Sequence, residues 1–282
     1  MPLLFFSDKK GGVNMFRKVI LEKGLNSLVK PGEMEYIELD IFKGEKGDSY
    51  SFNSKDYEIG LIILTGKLNV TIDDIKYDNL GARRNVFDGN AYALYIPNNK
   101  EVKIEALENI EVAICKTRVK TDEEVKLIKP GDVIIRDVGV HNWRRDVKDI
   151  IDRRIKAKRL LIGETINPPG NWSSYPPHKH DTNNYPEEVK MEEVYFYKLN
   201  PPNGFGLQRV YTPERDIDNV YLIEDNSLLL INRGYHPVVS APGYQLYYLW
   251  ILAGDIRESI INDDPNHKWI KAVEKIIRES KR

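Results

Sequence analysis

Three histidines in the second half of the chain are of a type and spacing that could hold a metal ion. Two lie in Pro176-Pro-His178-Lys-His180-Asp181, and the third lies in Arg233-Gly-Tyr-His236-Pro237. The chain has five histidines, none of them before His141, so the first half cannot build the same site. Residues i and i+2 of a strand share a face, so His178 and His180 can converge on one ion while Lys179 points away. That direction removes Lys179 as a proton shuttle. A carboxylate leading into a strand pattern follows at Glu192-Glu193-Val-Tyr-Phe-Tyr197. His236 comes two residues after Gly234, whose tolerance of positive φ would let one strand turn into the next. Three neutral imidazoles and one carboxylate suit Zn, Mn, Fe, Co or Ni and leave positions for water or substrate. A His-x-His pair alone reads as incidental. The downstream glutamate and the third histidine, inside one β-unit, favour the metal.

The elements that must position these residues are short β-runs cut by Gly, Pro, Asn and Asp. Tyr36–Phe42 alternates with period two, as a half-buried strand does. Leu61–Leu64, Gly66 and Leu68–Ile72 read as two strands with a tight glycine turn between them. Ala93–Ile96, Val102–Ala106 and Val112–Cys115 complete a first series. A second runs through Leu160–Ile166, Val194–Tyr197, Phe205–Tyr211, Tyr221–Ile223, Leu228–Ile231 and Leu246–Leu252. The spacing predicts an all-β chain of two units, of sandwich or barrel type. The basic run Arg144–Arg159, interleaved with Asp146, Asp149 and Asp152, reads as a solvated connector. A short C-terminal helix closes the chain, with Asp264 as cap and Pro265 at its first position. Its stripe Trp269, Ile270, Val273, Ile276, Ile277 is expected to pack on the β-structure.

Composition narrows the function. A formal net charge of −1 over 282 residues provides no field to gather nucleic acid or an anionic membrane. The single cysteine, Cys115 in an apolar run, excludes an internal disulfide framework and a multi-thiolate metal site. The Met1–Phe6 stretch is apolar but has no basic region before it and no cleavage pattern, so a cytoplasmic location is expected. Asn69-Val-Thr71 and Asn171-Trp-Ser173 match the glycosylation sequon, which carries little weight without a secretion signal.

The order His-x-His, Glu, distant His resembles the metal signature of cupins. Gly170-Asn-Trp-Ser-Ser-Tyr-Pro-Pro-His-Lys-His-Asp181 is similar to the signature segment of the 5-deoxy-glucuronate isomerases of inositol breakdown. Further matches are Glu192–Tyr197, Gln208-Arg-Val-Tyr-Thr212, Gly234-Tyr-His-Pro237, Ala241-Pro-Gly-Tyr244 and Tyr247-Tyr-Leu249. A weaker likeness runs through Leu64-Thr-Gly66, Gly81-Ala-Arg83 and Ala93–Pro97. The resemblance implies a bicupin, with a metal-free barrel over 1–140, a connector over 141–158 and a metal-binding barrel with the terminal helix over 159–282. It implies His178, His180, Glu193 and His236 as ligands of a divalent metal, Zn or Mn. Glu193 is preferred to Glu192 because it directly precedes Val-Tyr-Phe-Tyr, as the family's ligand does.

The activity implied is conversion of 5-deoxy-D-glucuronate to 5-dehydro-2-deoxy-D-gluconate, an aldose–ketose isomerisation in myo-inositol catabolism. Its sugar-acid substrate carries a carboxylate far from the aldehyde, which a planar guanidinium suits. Arg209 is the first candidate for that role, against a salt bridge on the barrel wall. Tyr248 is a candidate for pointing a phenol at the substrate, against a place in the core. Trp172, Ser173 and Ser174 are expected to shape the pocket mouth. The sister family of 5-keto-4-deoxyuronate ketol-isomerases, a cupin dioxygenase and a non-catalytic sugar-acid-binding cupin are the alternatives. The twelve residues between His180 and Glu193 include Glu187 and Glu188, which leaves that loop either a source of a catalytic carboxylate or a solvated edge. A homo-oligomer is expected, since bicupins associate through sheet edges.

Overall fold

The computed structural model describes residues 15–280; residues 1–14, which contain the Met1–Phe6 stretch, and residues 281–282 lie outside the described part. The chain is mostly β, with one short C-terminal helix. A seven-stranded antiparallel sheet runs in the order Phe16–Lys18, Ser227–Ile231, Glu192–Asn200, Gln245–Ala253, Leu161–Asn167, Arg145–Ile151, Ile134–Val138. A six-stranded sheet runs Lys126–Ile128, Ala93–Ile96, Tyr57–Thr65, Ile110–Arg118, Ile37–Gly44, Gly24–Val29. Two four-stranded sheets flank these. One is Ser49–Asn53, Glu101–Ala106, Leu68–Ile72, Ile75–Leu80, and the other is Trp172–Ser173, Val238–Ser240, Gly206–Tyr211, Asp218–Ile223. His178–Lys179 pairs with Asn262–Asp263 in a two-stranded ribbon.

Side-chain packing orders the sheets as four layers. Ile37, Leu39, Ile41, Ala113 and Cys115 of the six-stranded sheet meet Ile162, Val194, Phe196, Leu228 and Ile251 of the seven-stranded one. The outer face of the six-stranded sheet, through Leu61 and Ile63, packs on Leu68, Val70 and Ile104. The outer face of the seven-stranded sheet, through Tyr195, Tyr197 and Leu229, packs on Val210 and Val238. A strand covered on both faces has no reason to alternate, and Ser227–Ile231 is buried along its whole length. Strands of the flanking sheets keep the half-buried pattern, as Leu68–Ile72 does.

Three sequence expectations are corrected. The two strands around Gly66 exist but form no hairpin: Tyr57–Thr65 pairs with Ala93–Ile96 and Ile110–Arg118, whereas Leu68–Ile72 pairs with Ile75–Leu80 and Glu101–Ala106. Gly66 turns the chain from one sheet into the other at φ +78°, where a Cβ would lie 2.1 Å from the Asn109 carbonyl oxygen. The basic run is not a solvated connector throughout, because Arg145–Ile151 is a strand against Leu161–Asn167, with Arg145, Lys148, Ile150 and Ile151 buried. The terminal helix, Ile270–Ser280, turns inward through Ile270, Val273, Glu274 and Ile277, while Trp269 and Ile276 are 61% and 65% exposed. Asp264 caps the turn ahead of it, its Oδ1 accepting from the Asn266 amide at 2.9 Å. Among the described residues no helix is long and apolar enough to cross a membrane.

Candidate metal centre

Strand parity divides Glu192–Asn200 between two neighbourhoods. Glu192, Val194 and Phe196 face the six-stranded sheet, and Glu193, Tyr195 and Tyr197 face the flanking sheet of the second half. The Glu192 carboxylate accepts from the amides of Glu35 (2.9 Å), Tyr36 and Ile37 (2.7 Å) in the first half. Glu193 instead meets the histidines. One ligand atom each from His180, Glu193 and His236 lies within 4.8 Å of the others, and all three residues are buried. Glu193 Oε2 is 3.1 Å from His180 Nε2 and 3.4 Å from His236 Nε2. His178 stands edge-on to His236 with ring centroids 5.1 Å apart, and His180 does so at 5.2 Å. His178 is only partly buried, so it marks the solvent side of the cluster.

Each imidazole is oriented in the same way. Nδ1 of His178 is 3.2 Å from the Pro176 carbonyl, that of His180 is 2.7 Å from Met191, and that of His236 is 2.9 Å from Gly234. A carbonyl only accepts, so Nδ1 carries a proton in every case, and Nε2 is the nitrogen each neutral ring keeps for a ligand. Nε2 of His236 is buried without a hydrogen-bond partner, a costly condition unless something else occupies its lone pair. Burial pushes the Glu193 carboxyl up, but His180 and His236 outweigh it and hold it at about 2. Burial, then the neighbouring His236 and His180, push His178 well down, so it stays neutral. For His180, burial acts downward but Glu193 prevails and raises it. Two imidazole nitrogens, from His180 and His236, and an ionised Glu193 oxygen around one point fit a divalent cation, with His178 at the edge of the group against His236.

The supporting turns follow from local sequence. Gly234 sits at φ +92° with space for a Cβ closed by the Tyr211 carbonyl at 2.8 Å, and this bend delivers His236. Lys179 points away from the cluster and binds Asp181 at 2.6 Å and Glu188 at 2.8 Å. Glu188 takes neither role left open for its loop. It is buried, accepts from the amides of Asp181 (2.7 Å) and Thr182 (2.9 Å), and ties the loop together.

Tyr248 is brought to the centre and Arg209 is not. The Tyr248 hydroxyl bonds Ser173 at 2.5 Å, and its ring lies 4.5 Å from that of Tyr195, which in turn lies 5.9 Å from His236. Ser174 bonds the Tyr195 hydroxyl at 3.1 Å. Burial pushes both phenols up, so both are neutral donors. Trp172 rests on Tyr175, with centroids 5.6 Å apart. On the strand Gly206–Tyr211, Gln208 faces inward, accepting from the Tyr197 hydroxyl at 2.7 Å and donating to the His236 carbonyl. Arg209 therefore takes the opposite face, where it is bidentate to Asp218 at 2.8 and 2.9 Å and stacks on Tyr211. That is the barrel-wall salt bridge set against its substrate role.

Sequence reasoning missed Tyr195, whose aromatic run reads as core, and Arg145, hidden in the charged run. The Arg145 side chain is buried beside this cluster; its Nη1 donates to the carbonyls of Trp143 and Tyr175, both at 3.0 Å.

Comparison with known proteins gives a consistent answer. A family model described as the KduI/IolB family matches residues 22–270. The 5-deoxy-glucuronate isomerase of Geobacillus kaustophilus is 38% identical over 237 residues, 84% of this chain and 86% of that protein. The enzyme of the same name from Bacillus subtilis strain 168 is 38% identical over 240 residues, 84% of this chain and 89% of that protein. The crystal structure of an IolB-like protein from Salmonella typhimurium superposes with a TM-score of 0.88 at 32% identity, covering 92% of this chain and 99% of that one. Oxalate decarboxylase from Lactobacillus farciminis, at 11% identity and a TM-score of 0.63 over 87% of each chain, shares the fold alone.

Proposed function

We propose, from the premise that this chain belongs to the KduI/IolB family, that it is a metal-dependent isomerase converting 5-deoxy-D-glucuronate to 5-dehydro-2-deoxy-D-gluconate. The observation that carries this reading is the meeting of His180 and His236, each committed to a carbonyl through Nδ1, at the Glu193 carboxylate, with His178 edge-on to His236. His178, His180, Glu193 and His236 would hold a divalent cation, Zn or Mn. Such an ion, when bound, polarises a carbonyl and its adjacent hydroxyl and stabilises the negative charge left as a proton leaves carbon. The chain's own contribution is positional. Glu193 fixes His180 and His236. Tyr195 and Tyr248, held by Ser174 and Ser173 as neutral phenols, offer hydrogen bonds to sugar oxygens.

The architecture that goes with this reading is a bicupin, in which a metal-free barrel over 1–140 is joined through 141–158 to the metal-binding unit over 159–282. The joining segment lends its strand Arg145–Ile151 to the seven-stranded sheet, as the first unit lends Ile134–Val138. A cytoplasmic homo-oligomer taking a small sugar acid completes the reading.

The test is metal analysis coupled to an isomerase assay with 5-deoxy-D-glucuronate, before and after chelation, on the protein and on His178→Ala. One divalent metal per chain, lost together with turnover in both treatments, is expected. Full activity in metal-free protein sinks the reading, and turnover of 5-keto-4-deoxyuronate instead moves the substrate to the sister family.

A further inference from the structure

A buried guanidinium is costly unless an anion meets it, and this protein holds one without an anion. Arg145 is 7% exposed, and no carboxylate among the described residues pairs with it. Its Nη1 is used twice, on the carbonyls of Trp143 and Tyr175 at 3.0 Å. Its Nε is buried without a partner, and its hydrogen bonds to described residues run from Nη1. The nearby acid Glu274 is already engaged by the Gly139 amide at 3.1 Å and by Arg278 at 3.0 Å. The contrast with Arg83 is instructive, because that buried arginine has its carboxylate, Glu164, in bidentate contact.

The position of Arg145 relates it to the metal centre. Tyr175, whose carbonyl anchors it, lies three residues before His178 on the segment that leads into the first ligand. Its charge acts on His178 and on the Tyr248 phenol, and Tyr195 and Tyr248 act on it in return. The free Nε–Nη2 edge is the side-on fork that accepts a carboxylate through two parallel hydrogen bonds.

We infer that Arg145 binds the substrate's terminal carboxylate through its Nε–Nη2 edge and is the residue that selects a sugar acid over a neutral sugar. The inference rests on the isomerase reading above and replaces Arg209, which Asp218 already satisfies. The two backbone carbonyls hold the guanidinium plane in place before substrate arrives, so little side-chain entropy is lost on binding.

The experiment compares kcat/KM of the metal-loaded full chain for 5-deoxy-glucuronate and for its neutral counterpart, in which a primary alcohol replaces the carboxylate. Wild type should prefer the acid by on the order of 100-fold, as a site with unpaired charged donors does. Arg145→Met should remove that preference, lowering kcat/KM for the acid by far more than for the neutral sugar. Arg145→Lys, which keeps the charge but not the fork, should retain part of it, mostly through KM. Added guanidinium should restore acid turnover to Arg145→Ala. Calorimetry with the product acid and its neutral counterpart reads the same preference without turnover. An undiminished acid preference in Arg145→Met, an equal loss for both sugars, or a wild type with no preference would overturn the inference. The wild-type and lysine measurements decide it even where the methionine variant does not fold. Wild type inert towards both sugars sinks the isomerase reading itself, and the inference with it.

Discussion

Glu192 and Glu193 are chemically identical neighbours with opposite duties, and the difference lies in which face of one strand each occupies. Glu193 looks into the histidine cluster, and Glu192 looks across to the first half and collects three backbone amides without any cation. Burial pushes the Glu192 carboxyl up despite those amides. Glu193→Gln should therefore weaken metal binding by about 100-fold or more, as loss of an anionic ligand does. Glu192→Gln should keep its metal and lose about 1–3 kcal/mol of stability, because a donor then faces donors. Metal analysis and urea unfolding of the two variants check this, and an exchange of the two phenotypes would refute the parity assignment. The family resemblance had already favoured Glu193, which directly precedes Val-Tyr-Phe-Tyr. Of the two substrate-contact candidates, Tyr248 lies next to Tyr195 beside the cluster, and Arg209 lies away from it, since parity on Gly206–Tyr211 places Gln208 inward.

Among elements, the segment between His180 and Glu193 shows how a long loop can hold a ligand strand still. Its anchor is Glu188, buried against Lys179, with the Asp181 and Thr182 amides and Asn262 at 3.2 Å completing its contacts. Burial pushes the Glu188 carboxyl up, but Lys179 and the two amides outweigh it and hold it at about 2. A carboxyl lowered in the folded state adds stability above its unfolded value and loses it as pH falls through the folded one. Glu188→Gln should cost about 1–3 kcal/mol near neutral pH by leaving Lys179 with Asp181 alone and weakening the acceptor of two amides. The gap from wild type should begin to close below pH 4.5 and be nearly gone at about 2. Urea unfolding over that range measures it, and a gap that widens in acid would contradict the assignment. The loop's acidic residues were visible in the sequence. The burial of Glu188 was not, because it depends on the ribbon that His178–Lys179 makes with Asn262–Asp263.

At the scale of the whole molecule the two large sheets share one core, so the halves are energetically a unit. A buried ion pair crosses between them: Arg83 of the first half binds Glu164 of the second, whose Oε1 also accepts from the Tyr247 hydroxyl at 2.8 Å. Arg83→Met strands a buried carboxylate and should cost about 3–5 kcal/mol. Unfolding should remain a single transition by circular dichroism and by tryptophan fluorescence, with both probes shifted together. Two separated transitions in wild type would show that the halves fold independently and would contradict a shared core.

The sequence by itself determined the pairing of His178 and His180 on one short strand, the strand-rich character of both halves, the capped C-terminal turn and the likeness to a sugar-acid isomerase family. These are local properties, fixed by neighbours a few residues apart. Tertiary structure alone decided that the strands flanking Gly66 part into different sheets, and that Phe16 pairs with Leu229. It also decided that Glu188 is buried against Lys179, and that Arg145 leaves a charged run to lie buried. Each of those depends on sheet order and on which face another layer covers. Such choices are settled by contacts between residues far apart in the chain, and no local pattern of polarity encodes them.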